Sequence, residues 1–356
     1  MRSAVALLAT YAIGAAGGLA ARALHVPLPW LLGSLFATGA ASLAGAPRPM
    51  LPASRQAGQA IIGGALGLYF TREVLVAVAG ELPWMLAGCV ATLAVGAAGA
   101  RLLARRAGLS RATAFFACMP GGAAEMAVLG DRAGGDPSVI AVAQALRVLA
   151  VVTVVPLALT LAGAHGADAW APAALDASAP GLARLAAWSG AAGLVAHLLR
   201  LPNAWLLGPL AGSAALTAGG LGASAIPRGL VDAAQVLMGC ALGSRFAQES
   251  FRGAGALLRA IVLATAQGVV LLALFAAALA AISGHSIWTL LLATAPGGIA
   301  EMCLTARTLR LGVPLVTAFH VLRLVVLLTL SPTAFRLWQR AAAGVTGGGR
   351  FSDPGG

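Results

Sequence analysis

Read by its apolar runs, the chain resolves into twelve segments separated by short polar or arginine-bearing stretches. In the first half they cover about 4–21, 29–45, 56–79, 83–104, 112–129 and 138–163. In the second they cover about 181–199, 204–220, 230–250, 255–282, 287–305 and 313–336. An α-helix needs roughly 20 apolar residues to cross about 30 Å of hydrocarbon, so the pattern predicts an all-α polytopic membrane protein. The run from Ala4 to Leu19 behind Arg2 has the look of a signal peptide, but further spans follow at once, and it is read as an uncleaved first helix. Two segments per half are imperfect. The third carries Gly58, Gly63, Gly64 and Gly67, and the fifth is interrupted by Pro-Gly-Gly.

The two halves match. Pro120-Gly121-Gly122-Ala123-Ala124-Glu125-Met126 recurs as Pro296-Gly297-Gly298-Ile299-Ala300-Glu301-Met302, an offset of 176 residues. The same offset pairs Gln59 with Gln235, Gly67 with Gly243, Phe70 with Phe246, Arg147 with Arg323 and Pro156 with Pro332. Trp30-Leu31-Leu32-Gly33 matches Trp205-Leu206-Leu207-Gly208 at an offset of 175. One register kept over so many unlike residues points to two homologous helical repeats. The expected organisation is a first repeat over 1–163, a Pro/Asp/Ser-rich linker over 164–180, a second repeat over 181–340 and a flexible tail over 341–356.

Composition strengthens the membrane reading. Hydrophobic residues make up 60% of the chain and charged residues 10%, and the mean hydropathy is +0.90. A soluble domain carries roughly 25% charged residues. The net charge of +12 would suit nucleic acid, but every basic residue is arginine, and most lie between apolar runs, as at Arg22, Arg55, Arg72, Arg101, Arg105 and Arg106. Such placement faces headgroups and cytoplasm, and no polar stretch is long enough for a nucleic-acid domain. Cys89, Cys118, Cys240 and Cys303 lie in apolar segments without a CxxC pair and read as packing residues.

Charge also orders the crossings. The Arg101, Arg105, Arg106, Arg111 cluster places its loop on the cytoplasmic side, and the arginine-free linker with Asp168 and Asp176 falls outside. Both hold only if the broken fifth segment enters and leaves on one side. Each repeat then has five full crossings plus one broken, re-entrant helix. Five is odd, so the repeats are inverted, with both termini cytoplasmic. This scheme puts Arg307 and Arg310 outside, and a parallel repeat of six crossings is the alternative.

Candidate chemistry gathers at the breaks. Proline removes a backbone donor, and glycine allows conformations closed to other residues. Broken backbone inside a bilayer is tolerated only when buried in protein or lining a wet cavity. The half-helix that follows presents free N–H groups and a positive dipole end, an anion site. Pro120, Gly121 and Gly122 form one candidate site with Glu125, and Pro296, Gly297 and Gly298 form the other with Glu301. Arg147 and Arg323, 22 residues downstream of these acids, are the expected ion-pair partners. Gln144 and His320, three residues before them, share their helix faces. Gln59 and Gln235 are candidates for the same cavity or for helix-to-helix hydrogen bonds. A structural reading stands beside the functional one: each Glu–Arg pair could hold two helices together, and each break could be a kink. No His/Cys/carboxylate spacing suggests a metal site, and no cofactor is expected.

The doubled Pro-Gly-Gly-x-Ala-Glu-Met, with the Trp-Leu-Leu-Gly opening of each half, resembles the membrane AbrB family in its duplicated form, over about residues 10–340. That family is distinct from the small soluble DNA-binding regulator of the same name. Its members are described as regulators of gene expression or as ammonia monooxygenases, and the resemblance implies one of these. The residues offer no DNA-reading surface and no metal or flavin ligands. The expected function is therefore secondary transport of a small anionic or zwitterionic metabolite, not an enzyme activity. The alternatives are a membrane-embedded regulator or sensor and, below it, a monooxygenase. The expected partners are the bilayer of a bacterial inner membrane, a small solute, and a coupling proton or cation. No nucleic acid is expected, and the reading allows a homo-oligomer.

Overall fold

The computed structural model describes residues 2–45, 49–167, 176–221, 224–245 and 255–346. Phe246, Arg252, part of the expected linker and the chain after Thr346 lie outside the described residues. All regular structure among the described residues is α-helical. In chain order the helices are α1 (Arg2–Ala23), α2 (Pro29–Leu43), α3 (Pro52–Gly67), α4 (Arg72–Gly80), α5 (Leu82–Ala107), α6 (Arg111–Cys118), α7 (Ala123–Arg132) and α8 (Pro137–Leu161). They continue with α9 (Ala179–Leu198), α10 (Ala204–Ala218), α11 (Arg228–Gly243), α12 (Gly255–Ser283), α13 (Ile287–Thr294), α14 (Ile299–Leu309) and α15 (Val313–Thr346).

Helix starts follow local chemistry. Proline occupies the first turn of α2, α3, α5, α8 and α9, where its missing N–H has no intrahelical role. Thr71, Ser110, Asp136 and Ser178 cap the first turns of α4, α6, α8 and α9 with side-chain oxygens.

The helices differ from the apolar segments in one respect. Five helices are long and apolar enough to cross a bilayer unaided: α1, α5, α8, α12 and α15. A sixth arises if α3 and α4, bent by 91° at their junction, count as one span. By contrast α2, α3, α10 and α11 have 15 or 16 residues. At ~1.5 Å per residue they reach only about 22–24 Å. Ten crossings of full length were expected. Apolarity runs past these helix ends because the turns that close them are built of glycine, alanine and leucine. Gly45 and Gly220, both at positive φ, follow α2 and α10 as the last residues of their apolar runs.

Those short helices pack through glycine. A Cβ on Gly63 or Gly67 of α3 would strike the carbonyls of Leu206 or Leu210 on α10, and Ser213 Oγ donates to the Gly64 carbonyl at 2.7 Å. On α11, Gly239 and Gly243 sit in the same way against the carbonyls of Leu31 and Leu35 on α2. Each half thus lends a glycine-faced helix to the other half, which brings α3 and α11 together at the centre.

Segments matched by the sequence offset run antiparallel. Glu81, before α5, meets His285 Nε2, after α12, at 2.7 Å. Further along, Val95 lies against Gly268 and Gly99 against the Ala264 carbonyl. In the α3–α11 pair, Gly58 packs on Ala234 and Met238. Arg55 shares a cavity wall with Arg245, and Tyr69 shares another with Arg228 and Asp232.

Both broken segments are hairpins. The Asp136 N–H, after α7, donates to Thr113 Oγ1 in the first turn of α6 at 2.9 Å. Gly130 and Gly135 lie against Phe116 and Thr113. Gly312, after α14, likewise packs on Thr289 near the start of α13. The first hairpin leaves from the C-terminal end of α5 and the second from that of α12. Because α5 and α12 are antiparallel, the hairpins come in from opposite ends. The first is braced by an aromatic cluster of Phe115, Phe116, Phe335 and Trp338, which ties it to α15. The break expected in the fifth segment is present in both halves.

Candidate functional site

At the first tip, α6 ends at Cys118, Pro120 offers no donor, and Gly122 takes φ +91 before α7 begins. At the second, α13 ends at Thr294 and α14 opens on Gly298 at φ −74. Each break therefore exposes carbonyls from the incoming half-helix and N–H groups from the outgoing one. Glu125 and Glu301 occupy the third position of α7 and α14. Their carboxylates fold back over the glycine at the start of their own helix, where any Cβ would collide with them. Glycine at 122 and 298 thus makes room for the acid as well as for the turn. Glu301 is 7% exposed, whereas Glu125 is half-buried.

The carbonyls at the tips recruit the arginines. Arg147 donates from Nη1 to the Met119 carbonyl at 3.2 Å, and from Nε across to the Pro296 carbonyl of the other tip at 3.1 Å. Its Nη2 donates to Gln144 Oε1 at 2.7 Å. Gln144 Nε2 in turn donates to the Phe116 and Met119 carbonyls at 2.8 and 2.7 Å. In the second half, Arg323 Nη1 donates to the Ala295 carbonyl at 2.6 Å and Nη2 to that of Gly297 at 3.2 Å. His320 bridges Arg323 Nη2 at 2.8 Å and the Leu292 carbonyl at 2.9 Å. A ring nitrogen facing a carbonyl must carry the proton, and one facing a guanidinium must accept. His320 is therefore the neutral Nε2–H tautomer, doing for α13 what the Gln144 amide does for α6.

This corrects one expectation. Neither Glu125–Arg147 nor Glu301–Arg323 forms an ion pair; the pair recorded between described residues is Glu81–His285. The cause is geometric. The C-terminal end of each half-helix carries unsatisfied carbonyls and the negative end of the helix dipole, and it lies nearer the guanidinium than the acid beyond the break.

Both tips, both acids and both arginines line one cavity of about 190 Å³. Gln59, Gln144 and His320 share it, so most of the candidate residues converge. Gln235 does not: it lines a different cavity. Three polar residues absent from the expectation also line it, Arg55, Asn203 and Arg245. Glu301 feels the charges of Arg55 and Arg245. The readable signal for Arg55 was its place one helical turn before Gln59, on the same face. Arg245 carried no such signal, since its counterpart at the repeat offset is Tyr69. Four guanidinium groups thus face two carboxylates, with the N-terminal ends of α7 and α14 adding positive potential. The cavity has the electrostatics of an anion site and, at ~30 Å³ per water, a volume of about six waters.

The family described as "Transition state regulatory protein AbrB" matches residues 30–339. The "Uncharacterized protein YhjN" of Bacillus subtilis is 28% identical over 357 residues, covering 92% of this chain and 91% of that protein. The "Putative regulator AbrB" of Escherichia coli is 29% identical over 320 residues, covering 88% and 91%.

Proposed function

We propose, for a chain that belongs to the AbrB family and carries several membrane-compatible apolar helices, secondary transport of a small anionic or zwitterionic solute through the cavity between the two hairpin tips. The observation that carries this reading is the 190 Å³ cavity, where four arginines and two half-helix N-termini surround two acids. Broken helices that meet in the middle of an antiparallel pair are how transporters place a site near the bilayer midplane. The solute's acidic group is held by the N-terminal ends of α7 and α14 with Arg55 and Arg245. Glu301 and Glu125 carry the coupling proton or cation. No bond of the solute changes, so the protein is not an enzyme. A panel of small carboxylates and amino acids should contain at least one solute that raises the thermal unfolding midpoint of the purified protein. If none shifts it, the cavity is not a solute site.

The proposed setting is a bacterial inner membrane, with the Arg101–Arg111 end cytoplasmic. Reporters fused within 164–180 and at the C-terminus should then report opposite sides. Reporters on the same side would contradict an odd number of crossings per half.

The printed name of the Escherichia coli relative favours a second reading, a membrane regulator. It predicts altered gene expression on deletion, through a stable complex and with no solute flux. Under the transport reading, any change in expression follows from the solute and vanishes when the solute is supplied by another route.

A further inference from the structure

A second, wider cavity lies at the other end of the α3–α11 pair. It has a volume of about 950 Å³ and is walled by the end of α3, the first two turns of α11 and the last turn of α14. Arg228, Arg307 and Arg310 face one carboxylate there, Asp232. Two residues of its lining each carry a polar atom that is closed to solvent and has no hydrogen-bond partner: Gln235 Oε1 and Arg307 Nη1. Gln235 is only 7% exposed. A buried polar group left unmatched is costly, and a ligand that pairs it recovers that cost. Here the two unmatched groups are of opposite sense: Arg307 lacks an acceptor, and Gln235 lacks a donor.

Position adds meaning to this. Gln59 lines the central cavity and its repeat counterpart Gln235 lines this one. The antiparallel pair α3–α11 therefore presents one glutamine to each of the two cavities.

We infer that this vestibule is a loading subsite for a small acid that also bears a hydrogen-bond donor, a hydroxyl or an ammonium. The acidic group sits among Arg228, Arg307 and Arg310, and the donor goes to the Gln235 amide oxygen once the amide turns towards the cavity. A simple dicarboxylate satisfies the arginine and leaves the amide oxygen unmet. The inference rests on the transport reading for its purpose but not for its binding chemistry, so the two can fail separately.

The test is calorimetric titration of the full-length protein in nanodiscs with glutarate, 2-hydroxyglutarate and L-glutamate. At least one donor-bearing probe should bind about tenfold or more tightly than glutarate. Gln235→Met, close in volume, should erase that preference, and Arg307→Gln should weaken all three probes about tenfold. Arg307→Lys, which keeps the charge, serves if Arg307→Gln does not fold, and should weaken them less. Equal binding of all three probes, no binding of any, or unchanged binding in folded variants would overturn the subsite. Proteoliposome uptake of the tightest probe separates the two claims: binding that needs Arg307 and Gln235, without flux, keeps the subsite and removes transport.

Discussion

Arg323→Leu should destabilise the protein by on the order of 3–5 kcal/mol, and the loss should exceed that of any exposed arginine. The leucine leaves the Ala295 and Gly297 carbonyls and His320 Nδ1 without donors, all of them buried. Each orphaned group costs about 1–3 kcal/mol. The second hairpin tip then keeps a single guanidinium bond, from Arg147 to the Pro296 carbonyl. Arg323→Lys should recover only part of the loss, because a compact ammonium cannot span both carbonyls as a planar fork does. Chemical denaturation of purified variants, followed by tryptophan fluorescence, gives the comparison. If Arg323→Leu unfolds like the parent, the guanidinium is not what closes the break.

Glu301→Gln should do the reverse: leave the fold intact and remove coupled transport, with uptake falling more than tenfold. The amide keeps the shape that folds back over Gly298 but cannot take up or release a proton. An acid held inside the membrane costs roughly 2.5–3.5 kcal/mol on insertion scales, and a structural role would be served as well by the amide. Glu125→Gln should have the smaller effect, since Glu125 is half-buried and Glu301 almost fully so. Unfolding midpoints within a degree or two of the parent, alongside lost uptake, mark the coupling role. Full uptake in both variants would make the acids structural.

The hairpins were legible in the sequence because two signals agreed. Pro-Gly-Gly broke an apolar segment, and arginine placement required that segment to return to its own side. Residues Gln144, Arg147, His320 and Arg323 were legible because their three-residue spacing puts each pair on one helix face. What they bond to was not. A charge rule couples arginine to glutamate, whereas the fold gives each guanidinium to the carbonyls at a half-helix end. Those acceptors are backbone atoms and leave no mark in a sequence. Arg55 was read as a charge between apolar runs and Arg245 fell within the run 230–250, and only the antiparallel crossing of α3 and α11 brings them to the cavity. The same crossing carries Gln235 away to the opposite vestibule. Short helices such as α2 and α10 were overextended because glycine and alanine turns are as apolar as the helices they end.

Transport is decided by uptake of radiolabelled small carboxylates and amino acids into proteoliposomes, with and without an imposed proton or sodium gradient. At least one solute should accumulate against its gradient in the parent protein, and Glu301→Gln should abolish the accumulation. Folded protein that moves no member of the panel under any gradient would contradict transport.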